Sequence, residues 1–297
     1  MTLTEFLQHM ANGVSLGSLY ALIAIGYTMV YGILRLINFA HGDIFMIAAY
    51  VAFFGIGIFS LPWWVSFILA VVITAFIGAL IERAGYRPLR NSPRISVLIS
   101  AIGISFLLEN LGLVLFGGRP KAFYRPPVFA QVFLVKGVAV QVLTIYIPLV
   151  TIVLLACLLY LVHKTKTGMA MRACSRDFET ARLMAINVDR IVSVTFVVGS
   201  ALAAVGGIMW SLKFPQIHPL MGIFPGLKCF IAAVLGGIGN ITGAVIGGFI
   251  LGILEIMLVA FFPALSGYRD AFAFVILILI LLFRPTGILG ETMAEKV

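Results

Sequence analysis

Charge is what this sequence has least of. Only 10% of its 297 residues are Asp, Glu, Lys or Arg, against about 25% in a soluble domain. Hydrophobic residues make up 62%, and the mean hydropathy is +1.15. That excludes a soluble globular chain and predicts a polytopic membrane protein. Cysteine is scarce as well. The three are an odd number, with Cys157 and Cys229 in apolar runs and Cys174 in a polar loop, so neither a disulfide framework nor a zinc site is expected. His41 has no second histidine or cysteine placed to complete a metal site. A nucleotide loop is missing too: Lys164-Thr165 and Lys166-Thr167 lack the preceding glycines of a Walker A motif, so ATP is not expected to bind this chain. No nucleophile, base and orienting group come together, which argues against a membrane enzyme and leaves no catalytic residue to name. The N-terminal "MTLTEFLQHM" has no Lys or Arg, and the apolar run after it is too long for a signal peptide, so no cleavage is expected.

What is present is long apolar runs. Stretches without Asp, Glu, Lys or Arg cover Met10 to Leu34 (25 residues), Ile44 to Ile81 (38), Gly137 to Val162 (26), Ile191 to Leu212 (22) and Cys229 to Leu254 (26). About 20 apolar residues cross a bilayer as a helix, so the second run, broken at Pro62, must be two spans. The pattern predicts an all-α transmembrane bundle in one domain, residues 1–297, with about nine spans (eight to ten). They fall near 11–33, 44–60, 63–82, 95–116, 140–162, 191–211, 225–242, 244–262 and 271–283. The net charge of +9 would suit nucleic acid, but the basic residues sit in short loops, as topology determinants do, and no nucleic-acid partner is expected. With loops 35–42, 83–94, 163–190 and 284–297 inside, 13 Lys and Arg are cytoplasmic and six lie opposite. This bias puts the N-terminus outside and the C-terminus in the cytoplasm. The external loop Gly117 to Gly137, with four basic residues and three prolines, is either a docking surface or an exposed connector.

Small residues recur at helical spacing at Gly13, Gly17 and Ala21, at Gly199, Ala203 and Gly207, and at Gly248 and Gly252. That spacing lets helix backbones approach closely in lipid. "LGGIGNITGAVIGG", Leu235 to Gly248, is so rich in glycine that a helix break is expected. "RLINFAHGD", Arg35 to Asp43, is a second interruption in the first half. Paired breaks point to a transport path, so Asn38, His41, Asp43, Gly236, Gly237, Gly239 and Asn240 are its candidate residues. Glu255, an acid inside a span, is either a further path or gate residue or an interhelical polar contact.

The most charged stretch is "RACSRDFETARLMAIN", Arg172 to Asn187, with five charges in sixteen positions. Ser175 or Asp177 can cap a short helix there. Asp177 and Glu179 suit its positive end, and Arg182 comes later, as the macrodipole prefers. Phe178, Ala181 and Ala185 share one arc at i, i+3 and i+7. Such a helix suits a partner's groove or an anionic lipid surface.

Several segments resemble a known family. "YALIAIGYTMVYGIL", "LINFAHGDIFMI", "IERAGYRPLR", "LISAIGISFLLEN", "AVLGGIGNITGAVIGG" and "RPTGILG" are similar, in order and almost end to end, to the first permease subunit of high-affinity branched-chain amino acid ABC importers. "ETARLMA", Glu179 to Ala185, resembles the EAA-type signature of importer permeases, with Thr180 in place of the first alanine and Ala185 in place of the glycine. Alanine resists the left-handed backbone that glycine permits. The resemblance implies a permease of the bacterial inner membrane that pairs with a second, related permease. It implies two cytoplasmic ATPase subunits that hold ATP and Mg, with no cofactor on this chain, and a periplasmic binding protein delivering leucine, isoleucine or valine. The loop 163–190 becomes the coupling loop, with Arg172, Arg176, Asp177, Phe178, Glu179, Ala181, Arg182 and Ala185 facing the ATPase. Urea or short-chain amides remain open as solutes, and an ion-coupled secondary transporter is the rival class. A reporter fused after Val297 is expected in the cytoplasm and one inserted near Arg125 outside; the reverse result in a topology assay would overturn the span count.

Overall fold

The computed structural model describes residues 2–90, 92–135 and 138–290. Residues 291–297, with the C-terminal Val297, and Lys136 and Gly137 of the long loop lie outside the described residues. The chain opens with α1 (Leu3–Leu34), whose start is fixed by a capping box in which Thr2 and Glu5 each satisfy the other's backbone N–H. Then come α2 (His41–Gly57), α3 (Trp63–Ile81), which continues into a widened π turn at Glu82–Tyr86, and α4 (Arg94–Phe116). The long loop is folded: β1 (Lys121–Ala122), the short α5 (Pro127–Ala130), and the hairpin strands β2 (Val132–Val135) and β3 (Val138–Gln141). α6 (Val142–Lys164) leads into α7 (Lys166–Arg176) and α8 (Phe178–Leu183). α9 (Val188–Lys213), β4 (Gln216–Ile217), α10 (Ile223–Gly236), α11 (Ile241–Phe261) and α12 (Arg269–Phe283) complete the order.

Among the described residues, seven segments are long and apolar enough to cross a membrane: α1, the α3–π stretch, α4, α6, α9, α11 and the stretch holding α12. The expected spans at 44–60 and 225–242 meet α2 and α10, which have only 17 and 14 residues. At 1.5 Å per residue they rise about 26 and 21 Å, short of the ~30 Å hydrocarbon core. Two faces can be told apart by contacts. The hairpin face carries the start of α1, where Gln8 donates to Ala139 O. The charged face carries the end of α1 together with α7 and α8.

α1 is almost wholly enclosed and lies at the centre. Its small-residue stripe meets that of α11. A Cβ on Gly252 would lie 2.2 Å from Gly17 N, and one on Gly248 2.5 Å from Ala21 N. Gly207 of α9 presses equally closely on Phe45 O of α2. Without water to expel, helices in lipid gain from such close packing. The outward surfaces of α4, α6 and α12 are apolar, with Phe106, Leu107, Val114, Leu149, Ile152 and Leu282 all more than half exposed, an apolar belt larger than water tolerates. Replacing Gly252 by Leu should abolish the α1–α11 approach and lower the yield and thermal stability of the detergent-solubilised protein. Gly103→Leu, in α4 with nothing within 4 Å of the added carbon, should leave both unchanged. Equal behaviour of the two variants in a fluorescence size-exclusion melt would overturn this packing.

Candidate functional site

The two short helices begin inside the protein. His41, the first residue of α2, bonds through its ring nitrogen to Ile23 O, 3.2 Å away in the middle of α1, and packs on the Tyr27 ring at 4.4 Å. The segment 35–40 therefore turns back from the charged face and re-enters before α2 starts. At the other break, α9 reaches the hairpin face, where Arg125 of the long loop donates to Leu212 O and Lys213 O and so caps the end of α9. Ile217 pairs with Lys121, after which the chain runs inward to Gly222. There the two breaks meet: Gly222 and Gly42 are so close that a Cβ on either would fall 2.0 or 2.6 Å from the other's carbonyl oxygen. Two short helices thus start at one point and leave in opposite directions, α2 to the hairpin face and α10 to the charged face. Helix N-termini carry partial positive charge, and Asp43, buried in the first turn of α2, answers it while accepting from Ser105 Oγ at 2.5 Å.

This corrects the pairing of breaks read from sequence. The partner of Arg35–Asp43 is Phe214–Gly222, "FPQIHPLMG", and not the glycine-rich run. Gly236, Gly237, Gly239 and Asn240 instead form the tight turn between α10 and α11 at the charged face. Gly237 and Gly239 adopt φ of 108° and 95° there, Asn240 caps α11 through Gly243 N, and Gly239 lies against Gly32 near the end of α1. The C-terminal segment seals this turn, with Ile288 N donating to Leu235 O, Leu289 N to Gly236 O, and Asn240 Nδ2 to Leu289 O. The helix stays regular through Gly243, Gly247 and Gly248 because those glycines serve helix contact. The turn and the re-entrant segment nonetheless share one apolar cleft, lined by Tyr27, Thr28, Tyr31, Ile37, Phe230 and Ile238.

Glu255 lies elsewhere, in a charge cluster among α1, α10, α11 and α12. It accepts from Tyr20 Oη at 2.8 Å, Lys228 Nζ at 3.0 Å and Arg269 at 2.8 Å, and Lys228 also reaches Asp270 at 2.6 Å. Two acids and two bases balance, which is how a buried charge survives. Lys228 was the missed partner, because six residues into an apolar helix it gives no pattern of its own. Asn38 accepts from Tyr86 Oη at 2.9 Å. The sequence-named path residues therefore fall in three places: Asn38, His41 and Asp43 at the start of α2, the glycines at the charged face, and Glu255 in the ion cluster.

The charged loop divides at Asp177. Its carboxylate accepts from Glu179 N at 3.0 Å and Thr180 Oγ1 at 2.9 Å, capping α8, whereas Ser175 belongs to the last turn of α7 and bonds back to Arg172 O. Arg172 turns toward α6 and donates to Val162 O. Ala181 is buried and Phe178 half-buried against Met171, Cys174 and Val188, so this arc holds α8 to its own chain. Ala185 is not on that arc: α8 ends at Leu183, and Ala185 is exposed at φ 59°, the left-handed backbone its glycine-like place requires, at a cost of roughly 1–2 kcal/mol. Glu179 and Arg182 are exposed, and so are Leu183 and Met184, at 87% and 74%. Among the described residues, no cluster of His, Cys, Asp or Glu could hold a metal.

Interrupted helices that meet inside an otherwise continuous apolar bundle are the construction of a membrane permease. The comparisons agree. Residues 9–281 match the family model of the branched-chain amino acid transport system permease component. The high-affinity branched-chain amino acid transport system permease protein LivH of Escherichia coli K12 is 44% identical over 305 residues, 98% of each chain. The corresponding BraD of Pseudomonas aeruginosa is 43% identical over 308 residues, 99% of this chain and 98% of the relative. The chain belongs to this permease family, and it is a multi-pass membrane transport subunit, not an enzyme. Within the charge cluster, Lys228→Met should leave an excess of buried negative charge and cost about 3–5 kcal/mol. Adding Glu255→Gln restores neutrality, and a melt of the solubilised protein should show the double variant recovering part of that loss. A double variant as unstable as the sum of the singles would remove the cluster's energetic role.

Proposed function

We propose that the chain is one of two related permease subunits of an ATP-driven importer in the bacterial inner membrane, carrying leucine, isoleucine or valine. The observation that carries this reading is the 44% identity to the LivH permease across 98% of both chains. In this reading the charged face is cytoplasmic, as the 13 to six distribution of basic residues favours. The N-terminus is then outside and the C-terminus inside. Seven full spans and the two short helices make nine membrane segments, with 163–190 as the coupling loop. A periplasmic binding protein delivers solute at the hairpin face, and two cytoplasmic ATPase subunits hold ATP and Mg while this chain holds no cofactor. The solute path runs past the junction of α2 and α10, and the cleft between Ile37 and Ile238 is its cytoplasmic gate. An ion-coupled mechanism finds less support, because Glu255 is fully paired in a neutral cluster. Urea or a short amide in place of a branched-chain amino acid would be a matter of binding-protein selection, since one methylene in an apolar passage is worth only about 1–3 kcal/mol.

α8 is the coupling helix in this reading, with a contact surface different from the arc read from sequence. Leu183 and Met184 project from it beside Glu179 and Arg182, and burying two such side chains in a groove of the ATPase is worth about 3–6 kcal/mol. A Leu183→Asp/Met184→Asp variant is expected to reach the membrane at the normal level. It should lose the ATPase on purification and take up radiolabelled leucine at least tenfold more slowly. If the ATPase co-purifies in full and uptake is unchanged, α8 is a lipid-surface helix and the coupling assignment fails.

A further inference from the structure

Motion of α8 can affect solute only if it reaches the segment that re-enters the membrane. The direct route is weak: Arg35, at the start of that segment, touches the loop through a 3.4 Å bond to Ser175 O, and its side chain is exposed. An open groove of about 260 Å³ separates the two elements, with Leu36, Cys174 and Phe178 on its walls. A stronger route passes through the charged-face end of α3. α8 joins α9 by only four residues, held by Ala185 N to Arg182 O and Ile186 N to Ala181 O, and Asn187 caps α9 through Arg190 N. The first turn of α9 therefore follows α8. Asp189, in that turn, binds Arg90 and also Arg87, the latter at 2.8 Å. Arg90 in turn donates to Glu82 at 2.6 Å, and Ser193 of α9 fills the second oxygen of Glu82 at 2.7 Å. The side chain of Glu82 has no exposed surface and that of Arg90 only 8%.

Four residues along the π turn from Glu82, Tyr86 lies against Phe196 of α9 with ring centres 5.0 Å apart. Its hydroxyl donates to Asn38 Oδ1, and Asn38 O accepts from His41 N at the start of α2. Apart from the exposed Arg87–Asp189 pair, the steps from α9 to the re-entrant segment are thus buried or half-buried contacts between named groups. The π turn that brings Glu82 and Tyr86 to this place is of a rare kind found frequently at functional sites. Arg90 Nε, buried and without a partner among the described residues, is a donor that this arrangement leaves unsatisfied, as an element with a second arrangement would.

We propose that Tyr86 and Arg90 are positioning residues of transport, which carry a displacement of α8 and α9 through the end of α3 to Asn38 and the start of α2. The proposal rests on α8 being the coupling helix. Its test uses the complete transporter in nanodiscs, measuring radiolabelled leucine moved per ATP hydrolysed. Tyr86→Phe removes one hydroxyl and leaves every ion pair in place. Its complex should keep its full complement of ATPase while leucine moved per ATP falls at least fivefold. Asn38→Leu should do the same, and the double variant should lose no more than either single. Arg90→Met should uncouple as well, with Arg90→Lys restoring part of the ratio; if Arg90→Met does not assemble, the Tyr86 series decides. A Tyr86→Phe complex with a normal leucine-to-ATP ratio, or one that loses its ATPase instead, overturns the relay. Failure of the underlying reading looks different: there the Leu183/Met184 variant keeps its ATPase and its uptake.

Discussion

An interrupted helix inside a bilayer exposes backbone groups that lipid cannot satisfy, and the rest of this structure follows from how that demand is met. Both interruptions are brought to one place, where Gly42 and Gly222 let their backbones touch and α1 covers them from one side. His41 fills part of the gap with its bond to Ile23 O, and Tyr27 covers the imidazole. A side chain at either glycine would hold the two starts apart. The junction could then no longer be closed by protein alone.

Covering a break requires a central helix that can be approached from all sides. α1 serves because its small residues let α11 come within backbone contact on one flank, while Gly26 lies against His41 and Gly199 on another. Polar contacts add to this packing: Ser18 Oγ bonds to its own helix at Val14 O, and Ser18 O accepts from Thr151 of α6. Close approach in lipid draws on dispersion and polar contacts, with no hydrophobic term to help, so the fold concentrates both on α1.

Two sets of charges tie neighbouring elements together. Around Glu255, two acids and two bases tie the short α10 to α11 and α12. Around Glu82, a second balanced set ties α3 to α9 beneath the re-entrant segment. The buried pairs among them, Lys228 with Glu255 and Arg90 with Glu82, are costly to break. The charged loop 163–190 differs: α8 is held from within by Phe178 and Ala181, and its other side presents Leu183 and Met184 outward.

Much of this was legible in the sequence, because hydropathy, glycine spacing and caps act over short distances. The membrane class, the apolar segments, the close-packing stripes on α1 and α11 and the Asp177 cap of α8 all depend on residues within a few turns of one another. Arg35–Asp43 was readable as a break for the same reason. Its true partner was not: "FPQIHPLMG" carries two prolines, yet the glycine-rich run gave the louder local signal, and only packing shows that those glycines serve a turn and helix contact. The arc of Phe178, Ala181 and Ala185 was misread because a helix of six residues ends before i+7. Lys228 beside Glu255, Arg90 beside Glu82 and Tyr86 beside Asn38 are 27, 8 and 48 residues apart. Such meetings were decided by tertiary structure alone, since a single charged or polar side chain in an apolar helix does not say which neighbour will answer it.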